Sequence, residues 1–382
     1  MKQKVDSIKL INSVFNKEKT DRIPVSHVGF SSACASFILG REAFVGGGIQ
    51  EWREAKAWHE GWHDEFLERS YRDAIELTFA TGQDMLRPEY WRAPEPPTRK
   101  VDEYTYLYES GNEKDWKVLR VDPASEQGHF MYYLPRESRL EDVRMEVREM
   151  ERRVATYQPA ENDFAAAIRA QKEYGQQLVV KVGGVTIGIP LMDAGIWMEA
   201  MLLDPQLVKT YIDCQVEMAR RNVAFLSAYG FRYFLGGLDC ASEQGPWFSK
   251  KMFGELILPG LQEVSRICHK HGGYHLFASD GNLWELADVL FGESDIDGYY
   301  EVDRKAGMDL QKLRVGYPDL TLIGNISSWT MSQGKPEDVR KEVASCLETA
   351  RRLGGIIVGV SNYLQPETPH ANIETLFESL NK

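Results

Sequence analysis

Long apolar runs are missing from this chain. No stretch approaches the twenty residues that a membrane-crossing helix needs, and Lys9 and Lys17 interrupt the N-terminal segment before any secretory core forms. No membrane partner and a cytoplasmic location are therefore expected. Positive charge is also in short supply: 45 Lys and Arg stand against 57 Asp and Glu, a net charge of −12. So acidic a surface is poorly suited to phosphate backbones, which removes nucleic acid as a partner class. Cysteine is scarce, with five residues at irregular spacing, so a disulfide framework is excluded. Cys214, Cys268 and Cys346 share helical spacing with apolar neighbours and read as small buried hydrophobes. Cys34 and Cys240 follow apolar runs, and their roles stay open. Low-complexity tracts and strict repeats are absent.

What is present is a recurring unit: a short apolar run, a loop rich in Gly, Asp, Asn or Ser, then a segment of helical period. Eight runs read as strands, at 22–29, 84–90, 178–184, 232–239, 273–280, 298–303, 320–326 and 354–362. Several are almost continuously apolar, as strands covered on both faces are. Helical patterns follow at 205–229, 248–270, 283–290, 309–316 and 336–353. Alternation of this kind predicts an α/β fold, a (β/α)8 TIM barrel, with 1–382 as a single domain. A doubly wound open sheet is the alternative, weakened because no Gly-x-Gly-x-x-Gly turn follows the first strand. VGGGIQ (45–50) lacks that spacing and reads as a loop. The interval 92–160 breaks the rhythm. Tyr104, Tyr106 and Tyr108 alternate before a polar turn, with Trp116 and Val118 beyond it, which predicts an inserted β-hairpin with an aromatic face between strands 2 and 3. The charged run 139–153 reads as a solvated helix closing that excursion.

HEGWH, residues 59–63, has the His-Glu-x-x-His spacing of zinc proteases. Asp64 and Glu65 follow where apolar residues are expected, and Arg69 stands where one class needs a third ligand. An amphipathic helix weakened by Gly61, with Trp58, Trp62 and Phe66 on one face, accounts better for this stretch. In a barrel, chemistry collects at the C-terminal strand ends, which here carry His27, Asp239, His275, Ser279, Asp280, Glu301, Asn325, Ser361 and Asn362. His275, Asp239 and Glu301 are the expected catalytic group. A histidine and two carboxylates in one pocket suit acid–base work or a metal with an open position. His269 and His271 end a helix before Gly272 and read as positive charge at its C-terminus.

TDRIPV, DPQLVKTYID (204–213), the stretch 252–282, AGMDLQKLRVGYPDLTLIGNI (306–326), KPEDVRKEV (335–343) and PETPHANI (366–373) together resemble the uroporphyrinogen decarboxylase superfamily. The resemblance implies a TIM barrel. The decarboxylase branch grips substrate carboxylates with an arginine-rich N-terminal segment, whereas SHVGFSSACASFILGRE offers only Arg41. The resemblance therefore implies the corrinoid-dependent methyltransferase branch. Members that methylate a thiol hold zinc with His-x-Cys, but Phe277 occupies the cysteine position after His275. The late cysteine falls near Ser361 or Asn362. Ether-cleaving members use Glu-x14-Glu-x20-His, whose ends fall on Asp239 and His275, while the middle position is Gly254 with Glu255 beside it. The metal set implied for zinc is thus His275, Asp239 and Glu255. His27, Tyr274, Asp280, Asn325, Ser361 and Asn362 are the substrate-binding candidates, Cys240 is a lesser catalytic one, and Trp247 and Phe248 are pocket-lining ones.

The function expected is methyl transfer between a small-molecule methyl donor, such as a methoxyaromatic, and a corrinoid protein. A homodimer is left open as the assembly. A decarboxylase of a smaller acid and a non-catalytic binding protein are the alternatives.

Overall fold

The computed structural model describes residues 7–190 and 192–381. In chain order its strands are β1 (Gly29–Phe30), β2 (Met85–Leu86), β3 (Arg99–Asp102), β4 (Thr105–Tyr108), β5 (Lys117–Asp122), β6 (Gln127–Tyr132), β7 (Val179–Val182), β8 (Tyr233–Gly237), β9 (Tyr274–Ala278), β10 (Gly298–Tyr300), β11 (Thr321–Ile326), β12 (Ile356–Val360) and β13 (Tyr363–Leu364). Seven of them form a curled parallel sheet in the order β2-β7-β8-β9-β10-β11-β12. The segment 24–28 closes the ring. Val358 N–H donates to Pro24 O at 2.9 Å and Ser26 N–H to Val358 O at 3.0 Å, while Asp84 N–H reaches Val25 O at 2.8 Å from the other side. Helices alternate with the strands, and the fold is a TIM barrel. Beyond the closing segment, β1 pairs in parallel with β13.

Gly359 lies on that closing seam, where a Cβ would fall 1.8 Å from Ser26 O. Only glycine lets the two backbones approach so closely. At the opposite end α1 (Ser7–Phe15) plugs the barrel. Its apolar face carries Ile11, Val14 and Phe15 into a cluster with Met85, Val179, Leu276 and Tyr300. The Phe15 ring lies 4.8 Å from Tyr274 and 5.2 Å from Tyr233.

Side chains alternate across each strand, so this inner cluster tells which residues face the barrel axis. Tyr233 and Leu235 on β8 and Tyr274, Leu276 and Ala278 on β9 point inward. Phe234 and Phe277 point outward, to the helices.

Helices α2 (Ser32–Leu39), α3 (Gly48–Glu60) and α4 (His63–Ala80) precede β2. Gly61, at φ 81°, ends α3, so the expected single helix across HEGWH is two. His63 opens the second and turns Nε2 toward Glu54 at 2.9 Å. The insertion between β2 and β7 is larger than a hairpin. It is a four-stranded antiparallel sheet in the order β3-β4-β5-β6, followed by α5 (Leu140–Thr156). Tyr106 and Tyr108 are buried with Ile49 and Ala55 of α3. The charged helix is not wholly solvated, because Val143, Val147 and Met150 recur at helical spacing and are buried. The expected helix 248–270 is interrupted by a π-turn at Phe253–Ile257 just before Pro259. Proline lacks the N–H that would continue the regular ladder there.

Candidate active site

A cavity of about 620 Å³ opens at the C-terminal mouth of the barrel. Its floor and walls come from successive strand ends: Arg87 after β2, Lys181 on β7, Asp239 after β8, Asp280 after β9, Glu301 after β10, and Asn362 and Tyr363 after β12. The loop 87–92 roofs it with Tyr90 and Trp91. That loop is pinned from behind by Glu54, a fully buried carboxylate on α3. Arg92 Nε donates to both Glu54 oxygens, at 2.8 and 2.7 Å, and Ala93 N–H adds a third bond at 2.9 Å.

The acidic wall is unusual in its protonation. Burial pushes Glu301 up to about 8, and neighbouring Asp280 and Asp239 push it further the same way. Burial together with Asp239 and Asp303 lifts Asp280 to about 6, and burial alone raises Asp239. Asn362 Nδ2 donates to Asp280 Oδ2 at 3.2 Å, favouring ionised Asp280. At neutral pH the wall therefore offers one neutral carboxylic acid, Glu301, beside ionised Asp280. The Glu301 backbone has φ 66°, a left-handed conformation uncommon for a residue with a side chain. Strained backbone of this kind clusters at active sites.

Opposite stand two cations. Arg87 donates from Nη1 to Val28 O at 3.0 Å and from Nε to Glu89 O at 3.1 Å, with its guanidinium 4.8 Å from the Tyr90 ring centre and 5.7 Å from that of Tyr363. Lys181 is buried, lies 4.8 Å from the Tyr300 ring centre, and makes one long contact to Ser26 Oγ at 3.4 Å. Burial, then the Arg87 charge, brings its ammonium down to about 7.

The structure corrects several expected site residues. His275 does not meet Asp239. As the second residue of β9 it points outward and is fully buried behind the helix Leu258–Lys270, where Nδ1 lies 2.9 Å from Ser265 Oγ. Ser265 spends its own proton on Ser294 O, so Nδ1 of His275 is the donor. Burial takes the imidazole down to about 3, leaving it neutral. Tyr274 points inward but at the closed end, against Phe15. His27 packs outward on Phe30 and on Phe377, accepting from Val360 N–H at 3.1 Å. Asn325 is buried and its amide donates to Val302 O and Met308 O, fixing a loop. Glu255 stands on the exposed side of the π-turn beside Lys251. Zinc therefore does not fit the residues expected to hold it. Among the described residues no three His, Cys, Asp or Glu side chains converge as a metal site.

Cys240 is buried against Ser279 with its thiol pushed up to about 12, too high for nucleophilic work. Phe248 is core, and Trp247 is exposed away from the cavity lining. Ser361 and Asn362 do reach the mouth, where a second, more polar hollow adjoins the cavity. The pocket residues not anticipated are Arg87, Lys181, Tyr90, Tyr300 and Tyr363. The lysine inside the apolar run LVVKVGG was the signal available in the sequence.

These features define a TIM barrel with an acid–base pocket at its C-terminal mouth, where barrel enzymes carry their chemistry. Residues 163–382, more than half the chain, match the uroporphyrinogen decarboxylase (URO-D) family, and the chain belongs to that family. The match spans Lys181 to Asn362 of the pocket, whereas Arg87 and the roof loop precede it. A solved methyltransferase from Methanosarcina mazei shares the fold, with a TM-score of 0.66 and 16% identity over 97% of each chain. A Listeria monocytogenes protein solved as a vitamin-B12-independent methionine synthase aligns more loosely, with a TM-score of 0.48 and 14% identity over 94% of this chain and 96% of that one. No curated protein matches the chain by sequence.

Proposed function

We propose that this protein is a methyltransferase that moves a methyl group from a small methylated substrate, a methoxyaromatic in the first instance, to a corrinoid carried by a separate protein. The observation that carries the reading is Glu301, a carboxylic acid kept neutral in an aromatic-walled cavity. An ether oxygen is a poor leaving group unless a proton reaches it as the bond to carbon breaks. General acid catalysis of this kind is typically worth ~10²–10⁴ in rate.

The reduced corrinoid co-substrate supplies the electron pair that takes up the methyl carbon. This chain supplies the rest. Tyr90, Trp91 and Tyr363 hold an aromatic ring and exclude water, and Glu301 passes its proton to the departing oxygen, releasing a hydroxyl product. The neighbouring carboxyl groups of Asp280 and Asp239 keep Glu301 protonated until that moment.

Porphyrinogen decarboxylation is less well supported. Arg41 pairs with Asp73 and Glu76, outside the cavity lining. Of the two lining arginines Arg92 is held by Glu54 and Glu89, which leaves Arg87 as the one arginine of the lining, among the described residues, without an ion pair to offer a substrate with many carboxylates. The test is incubation with cob(I)alamin and a set of methoxyaromatics. Formation of methylcobalamin with the matching phenol is expected. Carbon dioxide release from an aromatic acid, with no methyl transfer, would favour a decarboxylase instead.

A further inference from the structure

The methyl-transfer reading assigns no task to the two cations facing Glu301. Among the described residues, neither Arg87 nor Lys181 has a carboxylate within ion-pair distance, although other cations in the molecule do. A buried charge without a partner is costly and is seldom kept without a use. Lys181 is 4% exposed and lines the cavity. Its three N–H donors share one hydrogen bond, at 3.4 Å, with a serine hydroxyl. Arg87 spends Nε and Nη1 on backbone carbonyls and forms no ion pair.

We propose that Arg87 and Lys181 are the anchor for a carboxylate on the substrate, which is therefore a compact methoxylated aromatic acid with a single negative charge. This rests on the reading of the cavity as the active site. A single charge follows from the opposite wall, because ionised Asp280, held by Asn362, would repel a dianion. The aromatic part follows from Tyr90, Tyr300 and Tyr363, whose rings flank the cations. An anchored carboxylate leaves the far edge of the ring, with its methoxy group, directed at Glu301. At about 620 Å³ the cavity exceeds one such acid, leaving the outer part of the mouth for the methyl acceptor.

Calorimetric titration of the protein with 3-methoxybenzoate and with the uncharged 3-methoxybenzamide tests this without any turnover. The acid is expected to bind about 10- to 100-fold more tightly, the range for charge-assisted hydrogen bonds. Lys181→Met should remove most of that preference while raising the melting temperature, since an unpartnered buried cation is replaced by an apolar chain of similar length. Arg87→Lys, which keeps the charge and loses the planar fork, should weaken the acid several-fold and leave the amide unchanged. Equal affinity of wild-type protein for acid and amide, or full preference in both variants, would overturn the anchor. Strong acid preference without methyl transfer to cob(I)alamin would leave the anchor standing and remove the methyltransferase reading.

Discussion

Glu301 and Lys181 titrate in opposite senses, and both leave a trace on stability. Glu301 has its folded value raised from 4.5 to about 8, so its contribution is fully present below 4.5 and is lost as pH climbs through about 8. Lys181 has its value lowered from 10.5 to about 7, so its contribution grows as pH rises from about 7 towards 10.5. Urea unfolding across pH should show the first slope vanish in Glu301→Gln and the second in Lys181→Met. His275→Ala belongs to the same scale. It should cost about 2–4 kcal/mol of stability, from a cavity and the lost Nδ1–H bond to Ser265 Oγ, with kcat per folded molecule retained. A collapse of kcat in a well-folded His275 variant would return that residue to the chemistry. Asp239, Asp280 and Glu301 were readable as strand-end carboxylates. The facing of His275 was not, because a shift of one residue in the strand end turns every side chain to the other side of the sheet.

At the scale of elements, the pocket depends on a seam and a clamp. The seam is the closing segment 24–28 against β12, where Gly359→Ala forces a methyl into Ser26 O and should cost about 1–3 kcal/mol, read by thermal unfolding. The clamp is Glu54 on α3, which holds the roof loop through Arg92 and Ala93. Glu54→Ala leaves half-buried Arg92 with Glu89 alone and Ala93 N–H without its acceptor, and should cost about 1.5–3 kcal/mol. Hydrogen exchange at 87–93 should rise with it, while exchange in the barrel strands stays slow. The barrel strands were legible as apolar runs, since burial on both faces leaves that pattern. The four-stranded insertion was only half legible. Strand β3 is exposed and mostly polar, so no alternation marks it, whereas Tyr106 and Tyr108 of β4 pack on α3 and do.

For the whole molecule, a net charge of −12 surrounds a mouth that contains two unpaired cations. The chain is acidic overall, and inside the mouth Arg87 and Lys181 stand on one wall and Asp239, Asp280 and Glu301 on the other, a division that the proposed substrate, a small monoanion, would fit. No helix among the described residues is long and apolar enough to cross a membrane. Family membership explains why the stretch 163–382 carries most of the pocket, and the N-terminal third contributes Arg87, the roof loop and its clamp. On the proposed reading these parts meet around one proton donor, Glu301. Its most direct test is the pH dependence of kcat/KM for methyl transfer from 3-methoxybenzoate to cob(I)alamin, in wild-type protein and in Glu301→Gln. We expect wild-type activity to fall as pH rises through about 8, and the variant to lose ~10²–10⁴ in rate and the Glu301 limb of that profile with unchanged affinity for the acid. A Glu301→Gln protein that transfers methyl groups at the wild-type rate would contradict it.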